Sequence, residues 1–245
     1  MKRTLWITLA AILAFAAILI ARMPASWLLP SGPQAPFSCV SIEGSLWSGA
    51  CEGLILQHLP LGDVTWELAP MRLFLGRLAA HVTLNRDAAR ASADVEAGLS
   101  GKLTVRGVLA DLPLDPKLLP LLPSTLAGSA HLDLALVRLE HGIVKELRGK
   151  IEAHNIEDRQ GADTPLGSYV VTFAGGEGIP TGQIRDLDGP LAMEGTLKLT
   201  PQPGFELEGL VAPRKGAPPE IINNIRFFGS PDASGRRPFS LSGTF

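Results

Sequence analysis

Little in this sequence points to chemistry. It has one tyrosine, two cysteines and only 6% aromatic residues. It also has no excess of one charge: 22 basic side chains face 24 acidic ones, for a formal net charge of −2. A phosphate backbone is recognised by clustered Lys and Arg that displace its counterions, so this balance gives no electrostatic reason to expect nucleic acid. The five histidines, at positions 58, 81, 131, 141 and 154, are scattered, with no two at an i, i+4 spacing. That pattern excludes a helical histidine pair for a metal. No Gly-x-Ser-x-Gly elbow occurs, since Gly44 to Gly49 has the wrong spacing for one. Gly176, Gly178 and Gly182 miss the nucleotide-loop spacing, and Pro180 would break the helix that must follow. Glu206 and Glu208 share one strand face and read as solvent-facing charges. The expectation is a protein without catalytic residues, cofactor or metal.

Long apolar runs are also scarce, with one exception. Leu5 to Ala21 is unbroken by charge, follows Met1-Lys2-Arg3 and is closed by Arg22. About 17 residues rising about 1.5 Å each span roughly 25 Å, enough for a thin bilayer. Trp6 sits at the interfacial level. Lys2, Arg3 and the terminal amine outweigh Arg22, which keeps residues 1–4 cytoplasmic and exports the rest. A cleaved leader is the alternative, but Ala21-Arg22-Met23-Pro24-Ala25 has no small-x-small site. The organisation expected is therefore an anchor over 5–21, a proline-rich linker over 22–36 and an exported domain over 37–245. A subdivision of that domain is expected near 111–124, where Pro113, Pro116, Pro120 and Pro123 permit a helical turn or two but no long helix. Cys39 and Cys51 lie near the domain's start. In an oxidising compartment they would close a short loop, the alternative being two small buried thiols that never meet.

Beyond the linker the dominant period is two. Val64, Trp66 and Leu68 alternate with Asp63, Thr65 and Glu67; Ala80, Val82 and Leu84 alternate with His81, Thr83 and Asn85. Leu103, Val105 and Leu109 fall on one side, with Lys102, Thr104 and, less cleanly, Val108 on the other. Leu132, Leu134 and Leu136 oppose His131, Asp133 and Ala135, and similar patterns recur around 193–199, 205–208 and 239–245. Such alternation sets one face of a pleated sheet against an apolar interior and the other in water. Short turns between successive strands imply antiparallel pairing. The fold class expected is mainly β: a strongly twisted antiparallel sheet, bent where glycine recurs inside strands, with one or two short helices. One helix is predicted over Glu220 to Phe228, after Pro218-Pro219 and before Gly229, with Ile221, Ile222, Ile225 and Phe228 on its apolar stripe. A membrane barrel is discounted, because aromatic girdles are missing.

Several phrases together carry a resemblance. Gly44-Ser45-Leu46-Trp47-Ser48-Gly49 is followed by Val64-Thr65-Trp66-Glu67-Leu68-Ala69-Pro70 and by Leu73-Phe74-Leu75-Gly76-Arg77-Leu78. The ending adds Phe228-Gly229-Ser230-Pro231-Asp232, Gly235-Arg236 and Phe239-Ser240-Leu241-Ser242-Gly243-Thr244. In order and spacing the chain resembles the type II secretion system protein N family, the general secretion pathway N component. The resemblance implies a non-enzymatic accessory subunit of the inner membrane of a Gram-negative bacterium, with a periplasmic domain. Its partners would be other inner-membrane or periplasmic subunits of the machine that exports folded proteins. Gly44, Trp47, Gly49, Trp66, Pro70, Gly229 and Gly243 read as structural motif residues. Trp47 and Trp66 are expected as core anchors of neighbouring strands, each with an indole donor that needs a partner. A second reading is an AsmA-like lipid-binding or lipid-transfer module, in which a bent sheet offers an apolar groove to acyl chains.

Overall fold

A computed structural model of the protein describes residues 6, 12, 15, 18–20, 22–27, 37–56, 59–115, 125–159, 164–202 and 204–244. The predicted helical turns between Pro113 and Pro123 fall mainly outside them. So do residues 28–36 of the linker, His58, Phe245, Lys2, Arg3 and most of the apolar run. Within that run Trp6, Ile12, Phe15 and Ile18, Leu19 and Ile20 are helical and exposed. Among the described residues no helix is long and apolar enough to cross a membrane.

The strands follow one another as the alternation requires. They are β1 (Phe37–Ser38), β2 (Ser41–Gly44), β3 (Ser48–Leu56), β4 (Leu59–Leu68), β5 (Arg77–Arg86), β6 (Ala89–Gly98) and β7 (Lys102–Pro113). Then come β8 (Leu126–Glu140), β9 (Ile143–Asp158), β10 (Thr164–Ala174), β11 (Thr181–Asp188), β12 (Leu191–Thr200), β13 (Gly204–Pro213) and β14 (Arg237–Thr244). Two short helices interrupt them, α1 (Pro70–Leu73) between β4 and β5 and α2 (Pro219–Ile225) between β13 and β14. From β3 to β14 each strand pairs antiparallel with the next, while β1 and β2 both pair with β3. The described residues thus build one fourteen-stranded sheet without a crossover. Tight turns keep the meander short: His141 and Gly142 both take positive φ, 51° and 80°, between β8 and β9. That backbone matches the twist of the flanking strands in a two-residue hairpin.

Direct cross-strand partners share a face, so the pairings define rows across the sheet. One row runs from Cys51 through Val64, Leu84, Ala91, Ala110 and Leu132. It continues through Ile151, Val171, Ile184, Gly195 and Gly209 to Phe239. Every member is apolar or glycine. On the opposite face Thr65, Thr83, Ser92, Leu109, Asp133 and Lys150 are followed by Thr172, Gln183, Thr196, Glu208 and Ser240. This row is therefore apolar across twelve strands, and the row behind it is polar except at Leu109.

Leu109 corrects the simple alternation. Gly107 takes φ +58°, the register against β6 shifts between Ser92 and Asp94, and parity changes within β7. Val108 consequently packs with the apolar cluster, while Leu109 stands on the polar face, 52% exposed. The same distortion crosses into β8, whose register against β9 shifts between Leu134 and Leu136. Leu136 therefore pairs with Arg106 and Arg148, away from Leu132 and Leu134. An extra residue in a strand turns every later side chain to the other face, which period two alone does not reveal.

The densest packing on the apolar face joins Leu134, Leu147 and Phe173, backed by Val108, Leu132, Ile151, Val171 and Leu197. The sheet also bends. β10 and β12, which flank β11, approach within 8 Å at their Cα atoms, closer than the roughly 9.5 Å of two interstrand spacings. Glycine permits the bend: Phe173 lies over Gly182, its direct partner on β11, where an added Cβ would meet the ring at 2.8 Å. The helix predicted over 220–228 forms as α2 and stops at Ile225, burying Ile221 and Ile225. It packs on β13, whose Val211 is also buried. Phe228 lies past its end, with its ring centroid 6.1 Å from that of Phe239.

Candidate binding surface

The motif around Trp47 organises one edge of the sheet. Gly44, at φ +88°, ends β2, and Ser45 N–H donates to the Ser48 carbonyl at 2.9 Å across the turn. A Cβ on Gly44 would sit 2.6 Å from that same carbonyl, which requires glycine there. Trp47 occupies the turn itself and lies outside the strands, a correction to its expected place as a strand core residue. Its indole N–H donates to the Ile20 carbonyl at 2.9 Å. Leu46 N–H donates to the Met23 carbonyl at 2.9 Å, and Pro24 bridges to Ser45. The chain leaving the apolar N-terminal segment, with Arg22 exposed at its end, is thereby held against the β2–β3 turn.

Trp66, on β4, lies over Gly49, its direct partner on β3, where a Cβ would come within 2.5 Å of the ring. Its indole N–H reaches the Leu46 carbonyl at 3.1 Å. The same device recurs at the far edge, with Phe239 over Gly209 and Phe205 over Gly243. Including Phe173 and Gly182, four aromatic rings each cover a directly opposed glycine. This pairing tolerates a bent backbone while restoring the apolar area that glycine lacks. Gly229 closes the α2 connection: its N–H donates to the Pro238 carbonyl at 3.3 Å, and a Cβ there would meet the Pro238 ring at 2.8 Å. Pro70 opens α1 at its first position, where a missing N–H costs nothing.

Beside Trp66 lies a cavity of about 370 Å³ on the apolar face. It is lined by apolar side chains of β3, β4 and β5, among them Leu54, Val64 and Leu68, and by the Cys39–Cys51 disulfide. Buried Ala25, in the 3-10 turn Ala25–Trp27, covers it from the side of the N-terminal segment. Cys39 and Cys51 stand 5.6 Å apart at Cα and tie the segment after β1 to β3. The apolar face is thus covered at one edge by the 3-10 turn and at the other by α2. Between them most of its large aliphatic side chains are half-buried, with Leu134 and Leu147 buried beside Phe173.

The polar face carries ion pairs. Glu96 is held by Arg77 at 2.8 Å, Arg106 at 3.1 Å and Arg72 at 3.9 Å. Hydrogen bonds from Arg106 and then Arg77 lower its pKa below the ordinary carboxylate value. Lys102 lowers that of Glu140 in the same way, and Lys150, followed by His154, that of Glu152. His81 and His131 are direct cross-strand partners of Asp94 and Asp111, at 2.8 and 2.7 Å. These are paired surface charges, whose individual contribution to stability is small. Glu206 faces Lys198 and Ser242 across the strands, and Glu208 faces Thr196 and Ser240. Among the described residues no group of three or more His, Cys, Asp or Glu is placed to hold a metal ion.

Several features have only a weak signal in the sequence. Met71, Phe74 and Leu75 extend into solvent from α1 and the turn after it, and Leu99 does so from the β6–β7 turn. Asp232 organises its loop by accepting from Ser234 N–H, Ser234 O–H and Arg236 N–H at 2.8, 2.6 and 2.9 Å. β14 is the outer strand at its end of the sheet.

A family model described as Type II secretion system (T2SS), protein N matches residues 35–240. Two relatives carry the name type II secretion system protein N. The one from Vibrio cholerae serotype O1 is 28% identical over 224 residues, covering 88% of this chain and 86% of its own. The one from Aeromonas hydrophila is 25% identical over 263 aligned residues, covering 99% of each chain. No solved structure matches.

Proposed function

Since the chain belongs to the type II secretion system protein N family, we propose that it is a non-enzymatic accessory subunit held in the inner membrane by residues 5–21. Its periplasmic sheet binds other subunits during export of folded proteins across the outer membrane. Family membership carries the secretion role. The contact surface is inferred from the outer strand β14, which follows β13 in register and has no further strand beside it among the described residues. An open strand edge offers backbone donors and acceptors to an incoming strand, and alternate side chains then select the partner. Leu241, exposed on that edge, is the side chain best placed to make such a selection.

The test is a photo-crosslinker at Leu241 in the full chain, in cells that carry the secretion machine. A crosslink to another secretion subunit, together with loss of secretion on Leu241→Lys, is the expected result. Crosslinks absent at Leu241 but present on the polar face, with Leu241→Lys secreting normally, would overturn the edge assignment.

A second reading is favoured by the apolar row across twelve strands and by the cavity beside Trp66: this apolar face takes up acyl chains. Phospholipid copurifying with the chain, and lost when Val171 is replaced by Asn, would support it. Chains free of lipid under mild extraction would count against it.

A further inference from the structure

We propose that the anchor-side end of the sheet makes a second membrane contact, the α1 turn and the β6–β7 turn seating apolar side chains in the phospholipid surface. The proposal rests on the reading of residues 5–21 as a bilayer anchor, and it goes beyond the binding of secretion subunits. In a meander, successive turns alternate between the two ends of the sheet. The β2–β3, β4–β5 and β6–β7 turns consequently leave at one end. That is also the end where the chain leaves the anchor, fixed there by the bonds from Trp47 to Ile20 and from Leu46 to Met23. Leu68 N–H donates to the Trp47 carbonyl, which joins the start of the α1 turn to the same fastening. The distance between anchor and turn is therefore set by a hydrogen-bonded path of a few residues.

At this end the turns carry side chains that water disfavours. Met71 is 74% exposed, Phe74 85%, Leu75 71% and Leu99 95%. The two turns are neighbours, since a Cβ on Gly76 would lie 3.6 Å from Leu99 Cδ1. Single exposed apolar residues are ordinary, and Phe227 is one at the far end of the sheet. Four together on adjoining turns form a patch that calls for an occupant. The far-end turns with two described residues instead carry Asp87-Ala88 and Gly189-Pro190.

Position favours lipid as that occupant, because the patch leaves the sheet at the same end as the chain from the anchor. Arg72, Arg77 and Arg106 gather around Glu96 with their side chains half-exposed, and Glu67 and Asp94 lie beside them. Three cations and three carboxylates leave these surroundings near neutral, so no like-charge barrier opposes entry of the apolar tips into the headgroup and acyl boundary. The resulting contact would hold the strands at a fixed tilt to the membrane instead of letting the domain swing on its linker.

The experiment uses the full chain reconstituted in vesicles of phosphatidylethanolamine and phosphatidylglycerol. An environment-sensitive fluorophore is attached at Phe74→Cys, at Leu99→Cys or, for comparison, at Ala88→Cys on the far end. The native cysteines are paired and stay unlabelled. The labels at 74 and 99 should shift to the blue and be quenched by nitroxide-bearing lipid, while the label at 88 is quenched only by aqueous iodide. Labels at 74 and 99 that behave like the one at 88 would overturn the proposal. Shielding from iodide without quenching by lipid would place a protein, or a second copy, on the patch and would equally overturn it. Release of the chain from the vesicles by alkali would sink the anchor itself, and is distinguishable from both.

Discussion

The indole N–H of Trp66 donates to the carbonyl oxygen of Leu46 across 3.1 Å, joining β4 to the turn that clasps the chain leaving the apolar N-terminal segment. Replacing Trp66 with Phe keeps most of the ring and removes this bond. The expected loss is about 1 kcal/mol, the usual net contribution of one hydrogen bond. Gly49→Ala pushes a methyl group into the ring of Trp66 and should cost about 1–3 kcal/mol. Urea midpoints of the full chain in detergent would measure both. A Gly49→Ala protein as stable as the parent would show that the ring does not lie there.

The disulfide closes a loop of twelve residues between a two-stranded edge and β3. Cys51→Ser and Cys39→Ser are each expected to destabilise the domain by about 2–3 kcal/mol, as cross-links of short loops do. Thiol-directed alkylation of the unreduced chain should label neither cysteine. Labelling of both without reductant would show that the bond does not form.

Asp232 makes the loop before β14 acid-resistant. The Ser234 hydroxyl, then the Arg236 and Ser234 backbone N–H groups, stabilise its carboxylate and hold its pKa at about 2, below the ordinary 3.8. A lowered folded-state pKa gives stability that is present above the ordinary value and is lost as pH falls through the lowered one. The loop should therefore keep its hydrogen bonds at pH 4 and lose them toward pH 2. In Asp232→Asn the carboxylate and its pH dependence disappear, and the Ser234 and Arg236 amides should exchange faster at neutral pH. A carbon-detected titration of Asp232 with a midpoint near 4 would contradict this account.

Adjacent residues on β10 should differ sharply in tolerance. Val171 lies in the apolar row and Thr172 in the polar one. Val171→Asn places an amide without partners among aliphatic side chains, at an expected cost of about 1–3 kcal/mol. Thr172→Asn should stay within about 0.5 kcal/mol of the parent. Thermal unfolding of the two variants side by side would check the facing, and equal effects would refute it.

Alternation was legible wherever large aliphatic residues supply one face without a bulge, as in β4, β5 and β12. It was not legible in β6, whose apolar row consists of Ala89, Ala91, Ala93 and Ala97 with Val95, because alanine contrasts weakly with Ser92 and the charges between. β9 was obscured differently: its register slips at three places against β8, so no single period describes it. The family motif pointed to Gly49 and Trp66 without showing that one ring covers the other residue. Nor did it show that Trp47, one residue before β3, faces back toward Ile20.

The amino-acid order alone determined the apolar N-terminal run and the two-faced strands, because each depends on neighbours a few positions apart. Tertiary structure decided which residues share a row and which turns share an end. Bulges at Gly107 and along β8 change parity, and the count of strands settles on which side Met71, Phe74 and Leu99 emerge. Those outcomes accumulate over the whole meander through pairing and register, so no local stretch of sequence contains them.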